Sequence, residues 1–125
     1  MTAPNLPELS LGYLTVTPSR DGEALVLRMS GTADMRAMEP LDRFLRAAHT
    51  QATQLRVPEA VVDMRDLEFM NSSCFKTFVA WIESVSGAPE GSRYKIRFLS
   101  TPKQAWQKRS LTALTYFAPD LVSVG

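Results

Sequence analysis

Apolar residues along this chain switch between a two-residue repeat and a repeat near 3.6, and the switches divide it into elements. Gly12 to Pro18 alternates aromatic and β-branched residues with others, which predicts a first strand, and Glu23 to Ser30 predicts a second. Ser19-Arg20-Asp21-Gly22 supplies turn chemistry between them, so the two strands should form a hairpin. Gly31 to Asp34 breaks the pattern. From about Met35 to Leu55, the residues Met38, Leu41, Leu45, Ala48, Ala52 and Leu55 trace one helical stripe, with Pro40 tolerable only near the helix start. Met1 to Leu11, with Pro4 and Pro7, reads as a loose leader.

The stretch from Val61 to Trp81 organises the rest. Ala60, Val61, Val62 and Met64 form a short β-branched apolar run closed by Arg65-Asp66, the mark of a buried strand followed by a polar loop. Phe75, Phe78, Val79, Ile82 and Val85 then follow the spacing of one buried helical face. Asn71 is placed to cap that helix, and Ser72 and Ser73 fall in its first turn. A first turn offers unpaired N–H groups and the positive end of the helix dipole, so a phosphate on Ser72 or Ser73 is stabilised there and adds roughly 1.5 to 2 negative charges. Asn71, Ser72 and Ser73 also suffice as capping chemistry alone.

Ser86 to Ser92 is loop by its Gly, Pro and Ser content. Arg93 to Leu99 alternates Tyr94, Ile96 and Phe98 with Arg93, Lys95 and Arg97, a half-buried strand. Thr101-Pro102 supplies a cap and a first-turn proline for a last helix, whose less regular apolar face is Trp106, Ala113, Leu114 and Phe117 and which Pro119 ends. Leu121 to Val124 leaves room for a short final strand. Strand-helix alternation of this kind predicts an α/β domain whose later strands are parallel.

Composition narrows the function classes. With 125 residues, 45% apolar and 22% charged, the chain suits one globular domain with its own core. The net charge of +1 argues against a strongly charged partner for the molecule as a whole. No apolar run approaches the roughly 18 residues of a membrane span, and the single cysteine fits a reducing compartment, so a cytoplasmic location is expected. His49 is the only histidine, and no Gly-x-Ser-x-Gly elbow presents a serine to it, so it reads as a solvated surface residue and a serine hydrolase is disfavoured. One His and one Cys without ligand spacing make no zinc site, and no cofactor is expected. Cys74, near a helix start, reads either as a thiol of lowered pKa or as a small packed side chain. From Gly91 to Pro119 there are six cations and no acidic residue. Their alternation fits a solvated face; if this run binds anything, an acidic protein surface suits it better than DNA.

The strand ending in Val62-Asp63, then Leu67, Phe69-Met70 and Asn71-Ser72-Ser73 before a hydrophobic helix, resembles the STAS domain of bacterial anti-sigma factor antagonists. That family carries an Asp-Ser-Ser-Gly or similar motif at this turn, with the first serine phosphorylated by a partner kinase. Ser72 falls on the phosphoacceptor, with Ser73 a second candidate; Asn71 stands where the family has aspartate and Cys74 where it has glycine. The family's Gly-x-x-Asp segment between a strand and the first helix is matched by Gly31 and Asp34. The resemblance runs from about Leu14 to Val122, whereas the acidic cluster that a response-regulator receiver needs is not evident. It implies a STAS-like single domain, a mixed sheet of four to five strands with helices mainly on one face. It also implies a non-enzymatic partner switch in signal transduction, transcription regulation and stress response, meeting an anti-sigma factor or serine protein kinase, with a cognate phosphatase, through Asp34, Asn71, Ser72, Ser73 and Cys74. No direct nucleic-acid or membrane contact is expected, and the assembly state is a monomer or weak dimer. The alternative is a divergent STAS-like scaffold, or a sensor of a small anion or nucleotide that is not phosphorylated.

Overall fold

A computed structural model describes residues 3–125; Met1 and Thr2, the start of the expected leader, lie outside the described residues. The chain runs β1 (Leu9–Ser10), β2 (Leu14–Asp21), β3 (Ala24–Ala33), α1 (Met38–Gln54), β4 (Glu59–Met70), α2 (Ser72–Ser86), β5 (Lys95–Leu99), α3 (Ala105–Thr115) and β6 (Val122–Val124). The strands lie in a six-stranded sheet in sequence order. β1, β2 and β3 pair antiparallel, and β3 to β6 pair parallel with α1, α2 and α3 as crossovers. The expected hairpin closes with Asp21 opposite Ala24, and Gly22 at φ +59 takes the left-handed backbone that a tight hairpin turn needs.

Alternation along the strands decides where the core lies. Leu25, Leu27 and Met29 on β3, Ala60, Val62 and Met64 on β4, and Ile96 and Phe98 on β5 belong to one buried cluster. The buried apolar residues of all three helices join that cluster, so the helices cover one face of the sheet. The other face carries ion pairs: Arg28 with Asp66 at 2.8 Å, Arg65 with Asp63 at 2.7 Å and Arg97 with Glu59 at 3.2 Å. The exposed pairs Arg28–Asp66 and Arg97–Glu59 contribute at most about 1 kcal/mol each, Asp63 is itself buried, and burial on the helical face supplies most of the stability.

Four expectations are corrected. The sheet has six strands rather than four to five, because the expected leader is anchored: Leu9 and Ser10 pair with Val16 and Thr15, Leu6 is buried, and the Asn5 N–H donates to Gln51 Oε1 at 2.7 Å. β4 does not end at Met64 but runs on through the expected polar loop to Met70. Register shifts against β3 leave both Arg65 and Asp66 exposed and return Leu67 to the core, and such an interruption of the two-residue repeat imitates a loop in sequence. The first helix opens as a separate 3-10 turn at Met35–Ala37, with α1 proper beginning at Met38 and Pro40 in its first turn.

Finally, α3 begins at Ala105 and not at Thr101-Pro102. Thr101 Oγ1 accepts from the Lys103 N–H at 3.3 Å, which closes a turn ahead of the helix. What anchors α3 is Gln107, which is fully buried. Its amide donates to the carbonyls of Met64 at 2.6 Å and Leu67 at 2.9 Å, and its oxygen accepts from the Thr101 N–H at 2.9 Å. Trp106 adds a bond from Nε1 to the Glu68 carbonyl at 2.9 Å. The carbonyls of the irregular part of β4 thus find donor partners on α3, which is how its backbone tolerates burial.

Candidate functional site

Parallel pairing brings the ends of β3 and β4 side by side, with Ala33 opposite Met70, and the chain leaves the sheet at Asp34 and Asn71 together. The Asn71 N–H donates to the Ala33 carbonyl at 2.7 Å, and the Cys74 thiol reaches the Asp34 carbonyl at 3.2 Å. The Gly-x-x-Asp segment and the Asn-Ser-Ser turn, 37 residues apart as counted from Asp34 to Asn71, are therefore one site. Gly31 lets the end of β3 lie close against the chain entering β2: its φ is +97, and a Cβ there would run into the Tyr13 carbonyl oxygen. The Thr32 N–H donates to that same carbonyl at 2.8 Å.

Asp34 caps the 3-10 turn, accepting from the Arg36 N–H at 2.9 Å, and its carboxylate grips the Arg36 guanidinium, with Nη2 to Oδ2 at 2.6 Å. Those hydrogen bonds hold its pKa below the usual carboxylate value. Arg36 also lies over the Tyr13 ring, 3.9 Å from its centre. Asp34 is consequently a neutralised structural carboxylate at the rim.

Asn71 caps α2 as its sequence implies, with Oδ1 accepting from the Ser73 N–H at 2.8 Å. Ser72 and Ser73 occupy the first two helical positions; Ser72 is exposed, Ser73 is half-buried, and neither hydroxyl bonds to protein among the described residues. Cys74, expected on the partner surface, lies beneath it and is fully buried. Burial, with Asp34 adding to it, pushes its thiol up to about 11, so of its two readings the packed side chain holds and the lowered pKa does not.

Two features were not read from sequence. Met35 is 66% exposed and Phe69 47%, with Met38 partly exposed beside them, so apolar side chains border the Ser72 loop. Met35 and Phe69 signal this as apolar residues at element ends outside any periodic stripe, whereas Met38, read as part of the first helical stripe, is exposed at its start. Between α1 and α2, a groove of about 460 Å³ is lined by Met38, Glu39, Asp42, Arg43, Ser73 and Lys76, which puts Ser73 beside two cations and two carboxylates.

His49 departs from the solvated role expected of it. It is half-buried, its Nδ1 lies 2.6 Å from the Tyr94 hydroxyl, and that hydroxyl accepts from Trp81 Nε1 at 2.9 Å. An indole only donates, so the Tyr94 oxygen is the acceptor in that bond, and a neutral imidazole unprotonated at Nδ1 accepts the Tyr94 proton. Burial lowers the His49 pKa accordingly. No nucleophile stands within this chain of bonds, and no cluster of metal-ligating residues occurs among the described residues. Among them, too, no helix is long and apolar enough to cross a membrane.

No family model matches the chain, and no curated protein matches it in sequence. Among solved structures it is similar to an anti-sigma factor antagonist from Mycobacterium paratuberculosis, with a TM-score of 0.66 and 20% identity over 92% of this chain and 90% of that one. A second likeness, to the unphosphorylated form of the anti-sigma factor antagonist SpoIIAA, has a TM-score of 0.48 and 20% identity over 74% of this chain and 81% of that one. At such identities the likeness is one of fold, and the first of these comparisons carries it. The chain has the mixed α/β, STAS-like fold of an anti-sigma factor antagonist.

Proposed function

We propose that this protein is a non-enzymatic partner switch that docks an anti-sigma factor or serine protein kinase through the edge formed by Asp34, Asn71, Ser72 and Ser73, and that phosphorylation of Ser72 releases it. The observation that carries this reading is an exposed, unbonded Ser72 hydroxyl at the first position of α2, bordered by exposed Met35, Met38 and Phe69. A partner covering those apolar side chains must desolvate Ser72 as well. An unmodified hydroxyl costs little there, whereas a doubly charged phosphate loses its hydration and weakens docking. In the free protein the same phosphate gains from the unpaired N–H groups and dipole of α2, so modification shifts the balance towards release from both sides. A phosphatase resets the switch.

The test is capture of partners from native cells on immobilised protein, with phosphosite mapping of the chain itself. Ser72→Ala should retain the captured protein and Ser72→Asp should lose it with the fold intact by circular dichroism. Equal capture by both, together with no phosphate on Ser72 under any growth condition, overturns the reading.

The groove beside Ser73 favours one second reading, a STAS-like module that senses a small anion or nucleotide and is not phosphorylated. Arg43 and Lys76 line it together with Glu39 and Asp42, next to the unpaired N–H groups at the start of α2 that an anion would meet. Under this reading ATP or GTP raises the melting temperature and Lys76→Ala abolishes the rise; under the partner-switch reading neither nucleotide changes it.

A further inference from the structure

The cation run of Gly91 to Pro119 is divided by the fold into two unlike groups. On and beside β5 the side chains are engaged: Arg93 Nε donates to the Ala88 carbonyl at 2.8 Å, Lys95 Nζ to the Asp120 carbonyl at 2.6 Å, and Arg97 pairs with Glu59 at 3.2 Å. The side chains of Lys103, Lys108 and Arg109 have no ion pair or hydrogen bond among the described residues. Lys108 and Arg109 lie on the exposed face of α3 with Thr112 and Tyr116, and with Ala105 they line a shallow groove of about 510 Å³ that no acidic side chain enters. Tyr116 is 77% exposed, and Phe117, 51% exposed, follows it.

Neither feature serves the stability of α3. Lys108 ends the first turn, where the positive end of the helix dipole disfavours a cation. Tyr116 leaves its ring in water at the other end of the same stripe, although its hydroxyl needs only one end wet. Cations at one end of a groove and an aromatic ring at the other match a segment that carries carboxylates and an apolar anchor.

We propose that the outer face of α3 is a docking surface for an acidic segment of a partner protein, whose carboxylates meet Lys108 and Arg109 and whose apolar side chain lies against Tyr116. The complementarity favours a protein over nucleic acid. Adjacent cations on one helical turn neutralise few phosphates, and the chain's net charge of +1 adds no broader attraction, whereas sequence-independent nucleic-acid binding rests on many such contacts. This surface is separate from the Ser72 edge and does not depend on the reading given to that edge.

The test uses the full chain and a fluorescein-labelled peptide of alternating Glu and Leu, with oligothymidylate as the nucleic-acid arm. Fluorescence anisotropy should show saturable binding of the peptide that weakens as salt rises. Lys108→Glu with Arg109→Glu should weaken it at least about tenfold. This double variant favours the dipole and should fold, and Lys108→Gln with Arg109→Gln provides a second variant of smaller expected effect. Tyr116→Ala should weaken binding while keeping its salt dependence, and amide shifts should centre on Ala105–Thr115. Absent binding, binding indifferent to the charge reversal, shifts centred on Asp34 to Met38 and Phe69 to Lys76, or equal binding of oligothymidylate overturns the proposal.

Discussion

The starts of α2 and α3 each follow a parallel strand, and they are built in opposite ways. At α2 the fold closes the end locally, with Asn71 as cap, the Cys74 thiol turned inward and no charged side chain in the first turn. At α3 the cap position is Gln104, whose side chain makes no capping bond, and the helix is held from inside by Gln107 and Trp106 reaching back to β4. A locally capped end leaves Ser72 free for other chemistry, since removing a hydroxyl that bonds to nothing costs little. An end held by tertiary bonds leaves its outer face free instead, because nothing on that face is needed to keep the helix in place. The two candidate surfaces therefore arise from two different solutions to the same problem of unpaired helix-end groups.

The largest effect should come from removing the internal anchor of α3. Gln107→Leu removes three hydrogen bonds, to the Met64 and Leu67 carbonyls and from the Thr101 N–H, and should cost about 3 kcal/mol by urea unfolding. A loss under 1 kcal/mol would mean that local propensity holds α3 after all. Asn71→Ala breaks the cap of α2 and should cost about 1 kcal/mol, while Asn71→Asp should keep that stability. The comparison sharpens in reverse at Gln104→Asp, which supplies the missing cap and should stabilise by about 0.5 to 1 kcal/mol; no gain would show that the turn at Thr101 already satisfies that end.

A chemical probe distinguishes the interior of the α2 start from its rim. With its thiol buried and pushed up to about 11, Cys74 should resist iodoacetamide at pH 8 in the native state and react readily in urea. Native labelling at the rate of a free thiol would place Cys74 at the surface instead. The smallest effect lies away from both helix starts. His49 has its pKa lowered from 6.5 by burial, so the unfolded chain binds this proton more readily than the folded one. Its contribution is therefore full above pH 6.5 and declines as pH falls below that value. His49→Gln should flatten the stability profile across that window, and an unchanged slope would remove His49 as its source.

Periodicity made the helices and most strands legible: of the Phe75 to Val85 stripe, Phe78, Ile82 and Val85 are buried in α2 and Phe75 and Val79 pack half-buried against the core, and Tyr94, Ile96 and Phe98 are buried as their alternation requires. The cap at Asn71 was legible for the same reason, because its partner is two residues away. The far half of β4 was not, since its pairing with Gly31 to Ala33 depends on bulges that erase the two-residue repeat. Gln107 was silent for a related reason, because each of its partners lies on another segment.

The sequence by itself determined the class of fold and the address of Ser72, because short-range spacing and local capping specify both. The tertiary structure alone decided that Cys74 faces inward, and that Lys108 and Arg109 lack partners among the described residues where Arg97 and Lys95 have them. Charge pairing and burial are relations between distant segments, and parallel strands joined through helices set those relations only once the sheet has formed.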